Sequence, residues 1–217
     1  MGEPGTRRAG VWAIVVAAGS SSRFGRLKQF ETLGGRQVLD WSMEAARSVA
    51  AGVVLVVPGP APAEARGADV VVAGGSTRAE SVRAGLDAVP GDAEVLVVHD
   101  AARPLAGADL FKAVVEALAP GVDAAVPGLP VAETVKQVAE GRVVSTLDRS
   151  ELVAVQTPQA FRAGELRSAH QTGGEATDDA GLVEAAGGTV VVVPGDPRNI
   201  KLTKPSDLVV LEALLRA

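Results

Sequence analysis

No cysteine occurs in the 217 residues, so disulfides, thiolate nucleophiles and cysteine-ligated zinc are excluded at the outset. Histidine appears only as His99 and His170, too few for a multi-histidine metal site. Any chemistry must therefore run on Asp, Glu, Lys, Arg, Ser and Thr, with a hard metal ion as the remaining option. Positive charge is also in short supply. With 21 Lys and Arg against 26 Asp and Glu, the net charge is -5, which argues against the broad basic surface that general nucleic-acid binding requires. A phosphate ligand has to be met by a local cluster instead. No apolar run approaches the roughly 20 residues that span a bilayer. The N-terminal "MGEPGTRRAGVWAIVVAAG" loosely mimics an export signal, but cleavage after "VAA" would discard a strand that the downstream pattern needs. The expectation is a cytoplasmic protein with a flexible tail over residues 1–10.

What is present is the balance of a folded protein, 47% hydrophobic and 22% charged. Short β-branched runs recur as "VWAIVVA" (11–17), "VVLVV" (53–57), "DVVVA" (69–73), "EVLVVH" (94–99), "DAAVP" (123–127) and "TVVVV" (189–193). Continuous rather than alternating apolar runs mark strands covered on both faces, as in a parallel sheet. Between them, helical spacing places Val38, Trp41, Ala45 and Val49 on one face, then Val82, Leu86 and Val89, then Leu110, Val114 and Leu118. A last helical pattern carries Leu208, Leu211 and Leu215 behind Pro205 and Ser206. The expected fold is a single α/β domain over 11–217, with a doubly wound, mostly parallel, Rossmann-like sheet. Residues 130–150 break the rhythm with alternation on either side of "EGR", which predicts an inserted β-hairpin arm, either a surface flap or a clasp for a second subunit.

Ligands of open α/β sheets bind where loops leave the carboxyl ends of the strands. The loop "AAGSSSRFGRLKQ" leaves the first strand there. Ala17, Ala18 and Gly19 let backbone amides approach an anion, and Arg23 and Lys28 supply a forked and a compact cation for phosphate oxygens. Neither the P-loop nor the dinucleotide fingerprint fits its glycine spacing. Three further clusters end strands in the same way. "VHDAARP" presents Asp100, a candidate ligand for Mg2+ shared with substrate phosphates. "GGSTRAESV" leads small residues into a helix, with Ser76 and Ser81 able to meet a base or a phosphate. "NIKLTKPSD" brings Lys201 to the close of a short last strand. His99 is most simply a packed strand-end histidine, Trp12 and Trp41 core residues, and Asp178 and Asp179 caps of the helix after "ATDDA".

Taken in order, "AAGSSSRF" with "LKQF", "GGSTRAESVRAGL", "VHDAARP", "ETVKQV" with "TLDR", "QTPQAF", "ATDDA" and "NIKLTKP" resemble the 2-C-methyl-D-erythritol 4-phosphate cytidylyltransferase family. The resemblance implies that Ala17, Ala18 and Gly19 line a CTP site and that Arg23, Lys28 and Lys201 handle its phosphates. It further implies that Gly75, Ser76 and Ser81 meet the cytidine and that Asp100 helps to hold magnesium. Thr134 and Arg149, together with Arg103, would bind the acceptor, the first two reaching from the arm of one subunit of a homodimer into its neighbour. Membrane and nucleic-acid partners are not implied. The reaction so implied needs no general base, because a phosphomonoester with a second pKa near 6 is already ionised at neutral pH. A cytidylyltransferase for another polyol phosphate, such as ribitol 5-phosphate, and a CTP sensor without turnover remain open at this point.

Overall fold

The computed structural model describes residues 8–19, 24–25, 27–59, 67–172 and 177–216. Along the chain these form β1 (Arg8–Val16), β2 (Thr32–Leu33), β3 (Arg36–Gln37), α1 (Val38–Arg47), β4 (Ala50–Val57), β5 (Val70–Ala73), α2 (Arg78–Ala88), β6 (Val95–Asp100) and α3 (Ala108–Glu116). Then come β7 (Ala124–Pro130), β8 (Lys136–Ala139), β9 (Arg142–Thr146), β10 (Val153–Val155), β11 (Gln159–Arg162), α4 (Ala163–Gln171), α5 (Asp179–Ala185), β12 (Val190–Pro194) and α6 (Ser206–Arg216).

The main sheet has eight strands in the order β10-β7-β11-β6-β1-β4-β5, with β12 also pairing β7. Strands β5, β4, β1 and β6 are mutually parallel, and β12 is parallel to β7. Because β11 runs antiparallel to both β6 and β7, those two point the same way, so only β10 and β11 oppose the rest. The apolar runs are continuous because both faces are covered. Ala13 and Val15 of β1 join Leu39 and Met43 of α1 and Phe111 and Val114 of α3 on one side. Ile14, between them, packs with Val82 and Leu86 of α2 and Leu166 of α4 on the other. The edges depart from this rule: β5 is only half-buried, and Val192 of β12 is 52% exposed.

A third cluster, Phe24, Leu33, Val38, Ala102, Leu202 and Leu211, lies between α6, the β2/β3 ribbon and the segment after β6. Leu202 is fully buried there and its N–H donates to Ala102 O at 2.7 Å. Burying such a side chain stabilises by about 1.5–3 kcal/mol, enough to fix the chain on which Lys201 stands.

Several expectations are corrected. The first strand begins at Arg8 rather than Val11, since Arg8 pairs with Ala50 and Gly10 O accepts the Glu94 N–H. Residues 199–203 form no strand; their position comes from Leu202 and the contacts below, not from a ladder. The reading of the sequence also lacked β10 and β11, because three- and four-residue strands around Pro158 carry no period, and it lacked the nine-residue helix α4. Within residues 130–150 the arm proper is the ribbon β8/β9, turned by Glu140 (φ 49°) and Gly141 (φ 75°) and unpaired with the main sheet.

Candidate active site

At the carboxyl edge of the sheet, β1 and β6 lie side by side, and Val16 faces Asp100. Asp100 is 7% exposed, yet its carboxylate is fully engaged. Oδ1 accepts from Arg78 Nε at 3.1 Å and Oδ2 from Lys201 Nζ at 2.7 Å. Burial alone would raise its pKa, but the charges of Arg78 and Lys201 outweigh that and hold it well below the ordinary carboxylate range. For Arg78, burial would favour loss of the proton, but Asp100 and Asp179 raise its pKa on balance, so it is a fixed cation.

The backbone of Asp100 is pinned as well. Its N–H donates to Thr157 Oγ1 at 3.0 Å, and that hydroxyl lies 3.2 Å from His99 Nδ1. Burial pushes the His99 pKa down to about 3, and the ring packs on Phe111 at 4.9 Å, so His99 is a neutral structural residue. Thr157 reaches this place because the β10–β11 edge bulges. Five residue steps separate Val155 from Ala160, against three between their partners Gly128 and Ala125.

The same bulge clasps the segment that carries Lys201. Gln156 Nε2 donates to Asp196 O at 2.9 Å, and Asn199 Nδ2 donates to Thr157 O at 2.9 Å. Asn199 O in turn accepts from Arg103 Nη1 at 2.9 Å. Arg78, Asp100, Arg103 and Lys201 thereby line one cleft of ≈ 130 Å³, together with Gln156, Thr157, Gln159 and Asp178. Asp178 caps α5 through Gly181 N and accepts from Gln159 Nε2 at 2.7 Å, whereas Asp179, expected as a cap, is buried and ion-paired.

The structure thus brings Asp100, Arg103 and Lys201 together. Arg23 lies outside the described residues. Lys28 sits half-buried on a short 3-10 turn, Lys28–Phe30, at the neighbouring strand end, where Gln29 Nε2 donates to Ala17 O at 2.8 Å. Ala17 cannot offer its amide to an anion, since that N–H donates to Val56 O at 2.7 Å; Ala18 and Gly19 follow it into the loop. Ala18 abuts the second loop so closely that a Cβ at Gly74 would overlap its methyl group. Beyond Gly75, the Ser76 hydroxyl donates to Glu80 and the buried Ser81 hydroxyl to Thr77 O. Ser81 is therefore committed to its own helix. Thr134 and Arg149 are exposed at the root of the arm, where Arg149 Nη1 donates to Ala132 O. Arg78 was overlooked in the sequence. Its clue was a cation directly after the cap Thr77, a position where the helix dipole disfavours positive charge.

A mostly parallel sheet with cations and one ionised carboxylate meeting at its carboxyl edge is the arrangement of an α/β protein that binds an anionic ligand there. The family description 2-C-methyl-D-erythritol 4-phosphate cytidylyltransferase matches residues 11–217, and the chain belongs to this family. A protein of that name from Frankia casuarinae is 47% identical over 215 residues, covering 94% of this chain and 81% of its own. A bifunctional IspD/IspF enzyme of Solidesulfovibrio magneticus is 44% identical, and the match spans 91% of this chain but 55% of that protein. Among solved structures, the 2-C-methyl-D-erythritol 4-phosphate cytidylyltransferase of Thermus thermophilus superposes with a TM-score of 0.80 at 38% identity, covering 94% of this chain and 98% of that one.

Proposed function

We propose that this chain transfers CMP from CTP to 2-C-methyl-D-erythritol 4-phosphate, releasing pyrophosphate, in isoprenoid precursor biosynthesis in the cytoplasm. The observation that carries the reading is the meeting of Lys201 and Asp100, 101 residues apart in sequence, in one cleft with Arg78 and Arg103. A phosphate oxygen of the acceptor attacks the α-phosphorus of CTP. The new P–O bond forms as the bond to the bridging oxygen breaks, and that electron pair leaves with pyrophosphate. No proton need move, so field and position supply the catalysis. Lys28 and Lys201 offset the charge that builds on the phosphates, and Arg103, with Thr134 and Arg149 of a neighbouring subunit, holds the acceptor phosphate.

The residues fit a hard cation delivered by the triphosphate. Asp100 is ionised, and its Oδ2 is held by a lysine whose side chain is 42% exposed and can yield. Among the described residues no three acidic or histidine side chains gather into a preformed metal cage, which suits Mg2+ shared with substrate oxygens. When bound, that ion would neutralise phosphate charge. The exposed valines of the arm support a homodimer.

Four nucleoside triphosphates tested against three polyol phosphates with Mg2+ decide the matter. Pyrophosphate release is expected with CTP and methylerythritol phosphate. Equal release with ribitol 5-phosphate would overturn the acceptor, and CTP binding without release would leave a sensor.

A further inference from the structure

The contacts that fix Asp100 continue inward. Asp179, the first residue of α5, is 1% exposed; its Oδ2 lies 2.8 Å from Arg78 Nη1 and its Oδ1 3.1 Å from His170 Nε2 on α4. Alternating charges therefore run from Asp179 through Arg78 and Asp100 to Lys201. The two partners of Asp100 differ in kind. Lys201 is a compact charge on a flexible, 42% exposed stem, whereas Arg78 is a rigid fork whose side chain is 29% exposed. Arg78 is also the first residue of α2, where the positive end of the helix dipole opposes a cation. Asp179 offsets that repulsion and engages the guanidinium at a second point, leaving Nε aimed at Asp100.

We propose that Asp179 is a positioning residue of the transfer reaction: it locks Arg78 onto Asp100, so that Asp100 keeps its place when Lys201 leaves it for the incoming phosphates. His170 Nε2, against Asp179 Oδ1, fixes the rotation of the Asp179 carboxylate. The proposal rests on the cytidylyl-transfer reading. It goes beyond that reading in assigning a role to a buried carboxylate that has no place in the chemistry itself.

The test compares Asp179→Asn, Arg78→Ala and Arg167→Ala by steady-state pyrophosphate release with CTP and methylerythritol phosphate, alongside thermal unfolding. Arg167 holds α4 to the end of α2 through the carbonyls of Leu86, Val89 and Pro90, away from the cleft. For Asp179→Asn, kcat is expected to fall about ten- to a hundredfold with KM for CTP changed less than about threefold, the pattern of a contact that matters in the transition state. Arg167→Ala is expected to lower Tm and leave kcat unchanged. Arg78→Ala should lose kcat similarly and recover part of it with added guanidinium, whereas the Arg78→Ala/Asp179→Ala double variant should not recover. The proposal is overturned if Asp179→Asn keeps wild-type kcat, or if Arg167→Ala loses as much kcat at matched Tm. Should Asp179→Asn not fold, Asp179→Glu takes its place: a lower kcat than Arg167→Ala at matched Tm supports the role, and wild-type kcat overturns it. Wild-type protein that releases no pyrophosphate would remove the reading and this proposal together, an outcome distinct from normal release by the variants.

Discussion

At the end of β6 each carboxylate oxygen of Asp100 has a cation of its own chain within 3.1 Å, whereas the arm turns Val138, Val143 and Val144 outward at 57%, 62% and 61% exposure. In the first region the carboxylate is paired at both oxygens within the chain, and the second leaves apolar side chains in solvent. Arg78 and Asp100 are already oriented and need no reorganisation when a transition state arrives, whereas in the proposed reaction Lys201 leaves Asp100 for the phosphates. The arm's two strands pair only with each other, and a lone two-stranded ribbon has marginal stability in water. The homodimer proposed above would cover those valines.

The strongest way to break the first half of that comparison is Lys201→Ala. On the proposed reading it removes a charge whose stabilising effect is greatest as pyrophosphate departs. We expect kcat to fall by about 10²–10³-fold, the range found on removing a single charge stabiliser, with a much smaller change in KM for CTP. Steady-state pyrophosphate release measures both. Turnover within a few-fold of wild type would show that the convergence at Asp100 is architectural only.

The second half is attacked by placing charge on the bare surface. Val143→Asp with Val144→Asp alters side chains that the single chain leaves in solvent, so its thermal unfolding should shift little, within about 0.5 kcal/mol. If the valines meet a second copy, burying the new carboxylates weakens that dimer by about 2–3 kcal/mol, some 30- to 150-fold in Kd. Sedimentation across a concentration series reads the difference. A wild-type protein that sediments as a monomer at all concentrations, or a variant dimer as tight as wild type, would sink the homodimer.

The two regions were not equally legible in the sequence. The central strands could be read because burial on both faces leaves an unmistakable signature, as in "VWAIVV" and "EVLVVH". Asp100 and Lys201 were found because each stands near a strand end or a distinctive motif. Arg78 was missed because its one local clue, a cation at the first position of a helix, does not say which anions hold it there. Its meaning comes from Asp100 and Asp179, which the chain brings to it from 22 and 101 residues away. Thr157, Gln156 and Asn199 were missed for a similar reason: they are neutral polar residues that gain importance only through a bulge, and no residue pattern announces a bulge. In the arm, period-two alternation predicted the hairpin, but alternation is a statement about faces and does not say what covers them.

Glu80 sharpens the comparison from a third direction, being exposed yet held at one carboxylate oxygen by three donors. Its Oε2 accepts from Ser76 N at 2.6 Å, Ser76 Oγ at 2.5 Å and Thr77 N at 3.2 Å, which secures the loop before α2. The Ser76 hydroxyl, then the Ser76 and Thr77 amides, hold its pKa below the ordinary value. A depressed folded-state pKa means that the stabilisation is fully present above the unfolded value, about 4.3, and is lost as pH falls through the folded value. Glu80→Gln should therefore unfold at a slightly lower temperature than wild type at pH 7. The gap should close as the two are compared at progressively lower pH beneath about 4.3. A gap of constant size from pH 7 to pH 3, or none at neutral pH, would show that the carboxylate's charge contributes nothing to the loop. The effect is the smallest of the three because solvent competes for every one of these bonds, which is the difference between a group partnered at the surface and Asp100 partnered in the cleft.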